Sequence, residues 1–173
     1  MLPGTMPNLS SPPVSDIGGN DANTSLLLHC DGADASTSFP DASSNALVVS
    51  ASGNVQVDTA QFKFGTGAAL FDGSTDGIVM PASSTPLNVG TGDFAIDFWI
   101  RRSSGTSAAL FKLNYPATSN GAQLSASNML EWHKDGVGTI LAGSTTIAVD
   151  TWYHVAYTRS GSTFRLFVDG VQE

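Results

Sequence analysis

The sequence predicts an all-β protein, a sandwich of two antiparallel sheets, and three observations carry that prediction. Apolar residues recur at every second position in several runs, clusters of turn-forming residues separate the runs, and no stretch sustains a helical period. The acidic residues agree with this. Thirteen are Asp and two are Glu, against seven Lys and Arg. Asp favours caps and turns because its carboxylate bonds nearby backbone, whereas Glu and Lys favour helix surfaces.

The 173 residues suit one domain with a real core and a short appendage. Residues 1 to 24 hold Pro3, Pro7, Pro12, Pro13 and Gly18-Gly19, with few large apolar side chains, so by themselves they cannot offset their ordering entropy. They are expected to form an extended arm, either a disordered leader or an arm that orders by docking on a particle or a neighbouring subunit, and residues 25–173 the sandwich.

From Ser25 onward, strands are expected near Leu26–Cys30, Leu47–Val49, Val55–Val57, Ala68–Asp72, Gly77–Met80, Asp93–Arg101, Ala108–Leu113, Ala122–Ala126, Met129–His133, Thr139–Ala142, Thr146–Ala148, Trp152–Arg159 and Thr163–Asp169. The clearest is "DFAIDFWIRR", where Phe94, Ile96, Phe98 and Ile100 share one face and Ala95, Asp97, Trp99 and Arg101 the other. In "TWYHVAYTR", Tyr153, Val155 and Tyr157 oppose Trp152, His154, Ala156 and Thr158. In "TFRLFVDG", Phe164, Leu166 and Val168 oppose Arg165 and Phe167. One-sided strands of this kind are what two packed sheets produce. Five Asp-Gly pairs, at 31, 72, 76, 135 and 169, punctuate the runs, and the last opens a hairpin just before the final residue, Glu173.

A net charge of −8 without a basic cluster argues against nucleic acid, whose affinity comes from cationic contacts, and against an anionic membrane surface. No apolar run approaches the roughly 20 residues of a spanning helix. Cys30 is the only cysteine, so no internal disulfide can form. The first residues lack the basic and apolar regions of a signal peptide, which predicts a protein made in the cytosol, with its final location, a virion or a cell surface, left open.

The pieces "SLLLHCDGADASTSFPDAS", "FGTGAALFDGSTDGIVMPAS", "GDFAIDFWIRR" and "TWYHVAYTRSGSTFRLFVDG", in this order and spacing, resemble the laminin G-like, or concanavalin A-like lectin/glucanase, family. The wording "LLLHCDGADAS" followed by "FGTGAALFDGS" is similar to versions in bacteriophage tail and other structural proteins. The resemblance implies a jelly-roll sandwich in which the hairpin after "FVDG" continues into further strands, the last lying beside the first. The sandwich is therefore expected to be incomplete at its C-terminus, either because the chain is part of a longer protein or because another subunit supplies a strand.

The resemblance also implies a non-enzymatic virion component, a tail-fibre, tail-tip or head-decoration module, with host-surface glycans as ligand. Its expected partners are other virion proteins and further copies of itself. The alternative is a bacterial cell-surface glycan-binding or adhesion module of a larger protein. Glucanases of the family place two Glu around an Asp on alternate positions of one strand, a pattern absent from a chain whose Glu residues are Glu131 and Glu173. His29, His133 and His154 are isolated from one another in sequence and read as strand residues rather than metal ligands.

Calcium is the one cofactor the residues suggest. Asp31, Asp34 and Asp41 follow the first expected strand and Asp72 and Asp76 share another loop, and hard oxygen ligands suit that ion. Turn chemistry accounts for the same residues without a metal. For sugar recognition, which combines an aromatic platform with a few polar groups, the candidates are Trp99, on the polar face of its strand, and Trp132, between Glu131 and His133. Core packing is the competing reading at both, and Trp152 is assigned to packing.

Overall fold

A computed structural model describes residues 20–81, 85–105, 107–113 and 120–173. Most of the predicted N-terminal arm, residues 1–19, lies outside the described residues. In chain order the strands are β1 Ser50–Ser52, β2 Gln56–Asp58, β3 Ala68–Leu70, β4 Gly77–Val79, β5 Phe94–Arg101, β6 Ala108–Leu113, β7 Asn120–Leu124, β8 Met129–Lys134, β9 Gly138–Thr146, β10 Trp152–Ser160, β11 Thr163–Val168 and β12 Val171–Gln172. A one-turn 3-10 helix at Thr85–Leu87 precedes β5, and no α-helix occurs among the described residues.

Two four-stranded antiparallel sheets, ordered β12-β11-β10-β5 and β6-β7-β8-β9, make the sandwich. β1 with β4 and β2 with β3 form two further pairs at the N-terminal side. The alternation expected for β5, β10 and β11 holds. Val155, Tyr157, Leu166 and Val168 are buried, and Phe94, Ile96, Phe98 and Ile100 pack against them. The second sheet contributes Ala122, Leu124, Leu130 and Trp132 to the same core.

Trp132 is the centre of that core. Its ring lies 5.4 Å from Phe94 and 5.6 Å from Phe164 on one sheet, and 5.5 Å from both Phe111 on its own sheet and Tyr157 opposite. Removing roughly 200 Å2 of indole surface from water, at about 25 cal/mol per Å2, contributes on the order of 5 kcal/mol. A separate small core, Phe39, Val55 and Val57, sits under the N-terminal strand pairs.

Three strand expectations need correction. Leu26–Cys30 forms no strand; it makes only a single bridge, Leu28 with Asp41, because the Asp41 carboxylate takes the Leu27 N–H and the Leu27 carbonyl accepts from Ala42. The strand expected at Leu47–Val49 begins at Ser50, where pairing with β4 becomes available. The two strands expected at Thr139–Ala142 and Thr146–Ala148 are one, β9, which keeps its course through a bulge opposite Leu130.

That bulge is held from the other sheet. The Glu173 carboxylate accepts from the Ser144 and Thr145 backbone N–H groups at 2.6 and 2.8 Å and from both hydroxyls. Glu173 is brought there by the hairpin at Asp169-Gly170, where φ is positive at both residues (49° and 81°), as a tight two-residue turn requires. β12 then pairs with β11.

Two outcomes follow from this packing. Trp132→Ala is expected to cost about 3–5 kcal/mol in chemical denaturation. The Thr145 hydroxyl, then burial in the opposite sense, then the Ser144 bonds set the Glu173 pKa, and together they hold it at about 2 against an ordinary 4.5. The stability this carboxylate contributes is therefore present above pH 4.5 and lost as pH falls towards 2. Thermal melts across that window should show a smaller acid loss in Glu173→Gln than in the parent chain.

Candidate functional site

β5 and β10 are neighbours with Trp99 opposite His154 and Asp97 opposite Ala156, so the polar faces of both strands point away from the core together. On this outer face Trp99 is 36 % exposed. Its ring centroid lies 5.3 Å from the His154 imidazole and 5.5 Å from Phe64, which meets it edge-on and is itself 66 % exposed. The Lys63 ammonium lies 4.5 Å from the centroid of the Trp99 ring, a cation–π distance. His154 Nε2 and Asp97 Oδ2 are 3.3 Å apart.

Lys63 and Phe64 belong to the β2–β3 connection, so this contact also ties the N-terminal strand pairs to the sandwich. The result is an exposed aromatic surface rimmed by an ammonium, an imidazole and a carboxylate. Chemically it can stack an apolar ring face and bond the hydroxyls around it, which is how a mixed apolar and polar ligand such as a pyranose is held. Sequence alternation puts Trp99 and His154 on the outward sides of their own strands but does not show that the strands are neighbours, so His154 reads there only as a strand residue. Lys63 and Phe64 were missed. The available signal was the unusual "FKF" at 62–64 in a loop.

Trp132 is not part of any surface. It is 2 % exposed and encircled by the core aromatics, which corrects its expected role as a platform. The strand period already carried the answer, because Trp132 shares a face with Leu130 while Glu131 and His133 share the other.

The five aspartates expected as calcium ligands are distributed over separate segments. Asp31 accepts from the Thr66 N–H at 2.6 Å, and Asp34 from the Thr59 N–H at 3.1 Å. Asp41 accepts from the Leu27, Ser43 and Leu47 N–H groups at 2.8–2.9 Å. Only Asp72 and Asp76 meet, around Asn54: Asp76 takes the Asn54 and Asp72 N–H groups, and Asp72 the Asn54 amide and the Ser74 N–H. No three His, Cys, Asp or Glu come together as a metal site among the described residues. These carboxylates act as backbone acceptors, the turn chemistry that competes with calcium binding.

A two-sheet antiparallel sandwich with an exposed aromatic and polar patch on one outer face is a binding-type β-sandwich. Residues 72–173 match the laminin G-like family described as the Concanavalin A-like lectin/glucanases superfamily, and the chain belongs to it. No curated protein matches the chain.

Asp41 yields a test independent of ligand. Burial pushes its carboxyl pKa up, and the bonds from Leu27, Leu47 and Ser43 outweigh burial and hold it at about 2, below the ordinary 3.8. Its contribution is complete above pH 3.8 and disappears as pH falls through about 2. Asp41→Ala is expected to lose about 1–3 kcal/mol for each N–H left without a partner away from water. Urea unfolding at neutral pH, with and without millimolar calcium, checks both the size of that loss and its independence of the metal.

Proposed function

We propose that this chain is a non-enzymatic saccharide-binding module of a bacteriophage virion, built into a tail fibre, tail tip or head decoration and recognising host-surface glycans through the Trp99 face. Membership of a superfamily that contains lectins supports binding of sugars. The observation that carries the reading is the exposed Trp99 and Phe64 pair with Lys63, His154 and Asp97 at its rim. The similarity of "LLLHCDGADAS" and "FGTGAALFDGS" to phage structural proteins supports the location, with the Pro/Gly-rich leader as the docking arm to other virion proteins and to further copies.

The disposition of the carboxylates supports binding over hydrolysis. A glycosidase needs two carboxyl groups flanking one bond, about 5 Å apart for retention and further apart for inversion. Here Glu173 holds β9, Glu131 accepts from Gln123 and Thr139, Asp93 accepts from the Gly161 N–H, and Asp97 faces His154. The outward positions of β8 are Met129, Glu131 and His133, one carboxylate where alternating acids would be required.

A glycan array probed with the parent chain and with Trp99→Ala tests this. Loss of one stacked ring should weaken retained glycans by about tenfold or more, while the unfolding midpoint stays close to that of the parent. Equal binding by both chains would remove Trp99 from the site, and silence of the parent across the array would turn the reading towards scaffolding.

A further inference from the structure

The outer face of the other sheet carries a second constellation. Gln123 lies opposite Glu131, and Gly121 lies between Lys112 on β6 and His133 on β8. Lys112, Gly121, Gln123, His133 and Asp135 line a recess of about 170 Å3. That is room for one small ring, well below the roughly 300–1,000 Å3 of sites for drug-sized ligands. An added Cβ at Gly121 would collide with the Phe111 carbonyl oxygen, so glycine is what lets β6 and β7 approach this closely beside the recess.

Two features give the recess chemistry. Gln123 donates its amide N–H to Glu131 Oε2 at 3.1 Å, and the Thr139 hydroxyl donates to the same oxygen at 3.2 Å. The amide of Gln123 is thereby held in place, and its carbonyl oxygen can act as an acceptor. His133 Nδ1 is withdrawn from water and has no hydrogen-bond partner among the described residues. A buried polar atom in this state costs about 1–3 kcal/mol, and native structures usually supply it with a water or a ligand atom.

We propose that this recess is a second ligand site on the sandwich, taking one neutral, hydroxyl-rich unit such as a single saccharide ring. The lining places one cationic and one anionic side chain, Lys112 and Asp135, at the same recess, and the Glu131 carboxylate beside it is taken up by Gln123 and Thr139, so nothing there favours an anion. It combines donors and acceptors at close range, the arrangement that a set of vicinal hydroxyls satisfies. The inference rests on the reading of the domain as a saccharide binder, but it uses the opposite sheet from Trp99.

The test is a titration of the isotope-labelled full chain with D-glucose, D-galactose, D-mannose and N-acetylglucosamine, and separately with sodium sulfate, following the His133 imidazole nitrogens by NMR. A saturable shift of His133 with at least one sugar is expected, retained in Trp99→Ala and weakened by about tenfold in Gln123→Leu, the loss of one placed hydrogen bond. If no sugar moves His133 at up to about 0.1 M, or sulfate moves it in their place, the recess is not such a site. A shift that disappears in Trp99→Ala would also overturn it, since a single site at the aromatic platform would then explain all binding. A His133 shift with no effect at Trp99 would instead remove the platform and leave the recess standing.

Discussion

The fold depends on one contact between its two sheets, the insertion of Trp132 among Phe94, Phe164, Phe111 and Tyr157. β-Strands bond only to strands of their own sheet, so nothing in the backbone holds two sheets face to face. That work falls to side chains, and close packing of large rings in edge-on and offset arrangements provides both area and a preferred geometry. With the interior filled by this cluster, the polar positions of β5, β10, β7 and β8 have only the outside left to them. Both candidate surfaces exist for that reason.

A second constraint is that irregular backbone must still find partners for its N–H groups. Here carboxylates supply much of the answer. Asp41 gathers the N–H groups of Leu27, Ser43 and Leu47, the first and last from segments that would otherwise read as strands, and Glu173 gathers the two released by the β9 bulge. Asp31 and Asp34 pin the β2–β3 connection in the same way. Acidic residues that suggest metal ligands by composition are thus accounted for by backbone. The chain's low pI of about 4.5 partly reflects this use of Asp as an architectural acceptor.

The pinned β2–β3 connection has a functional consequence. It presents Lys63 and Phe64 against Trp99, so the N-terminal strand pairs complete a surface begun by the sandwich. Residues far apart in sequence, from the β2–β3 connection and from β5 and β10, form one patch. The recess on the other sheet is built differently, from cross-strand neighbours within a single sheet and a glycine that lets two strands approach. The first surface rests on long-range docking and the second on local register.

By itself the sequence determined the all-β class, the inward and outward faces of β5, β10 and β11, and the turn at Asp169-Gly170. Each of these rests on period two or on backbone dihedrals that a few adjacent residues dictate. The same period places Trp132 inside with Leu130, although its polar neighbours Glu131 and His133 make it look like a surface residue. Only the tertiary structure decided that Leu26–Cys30 would bond to a side chain instead of a strand, that Asp31, Asp34 and Asp41 would serve separate segments, and that Phe64 would reach Trp99. Those outcomes depend on which distant groups arrive at the same place once the sheets have packed, and no local pattern encodes that.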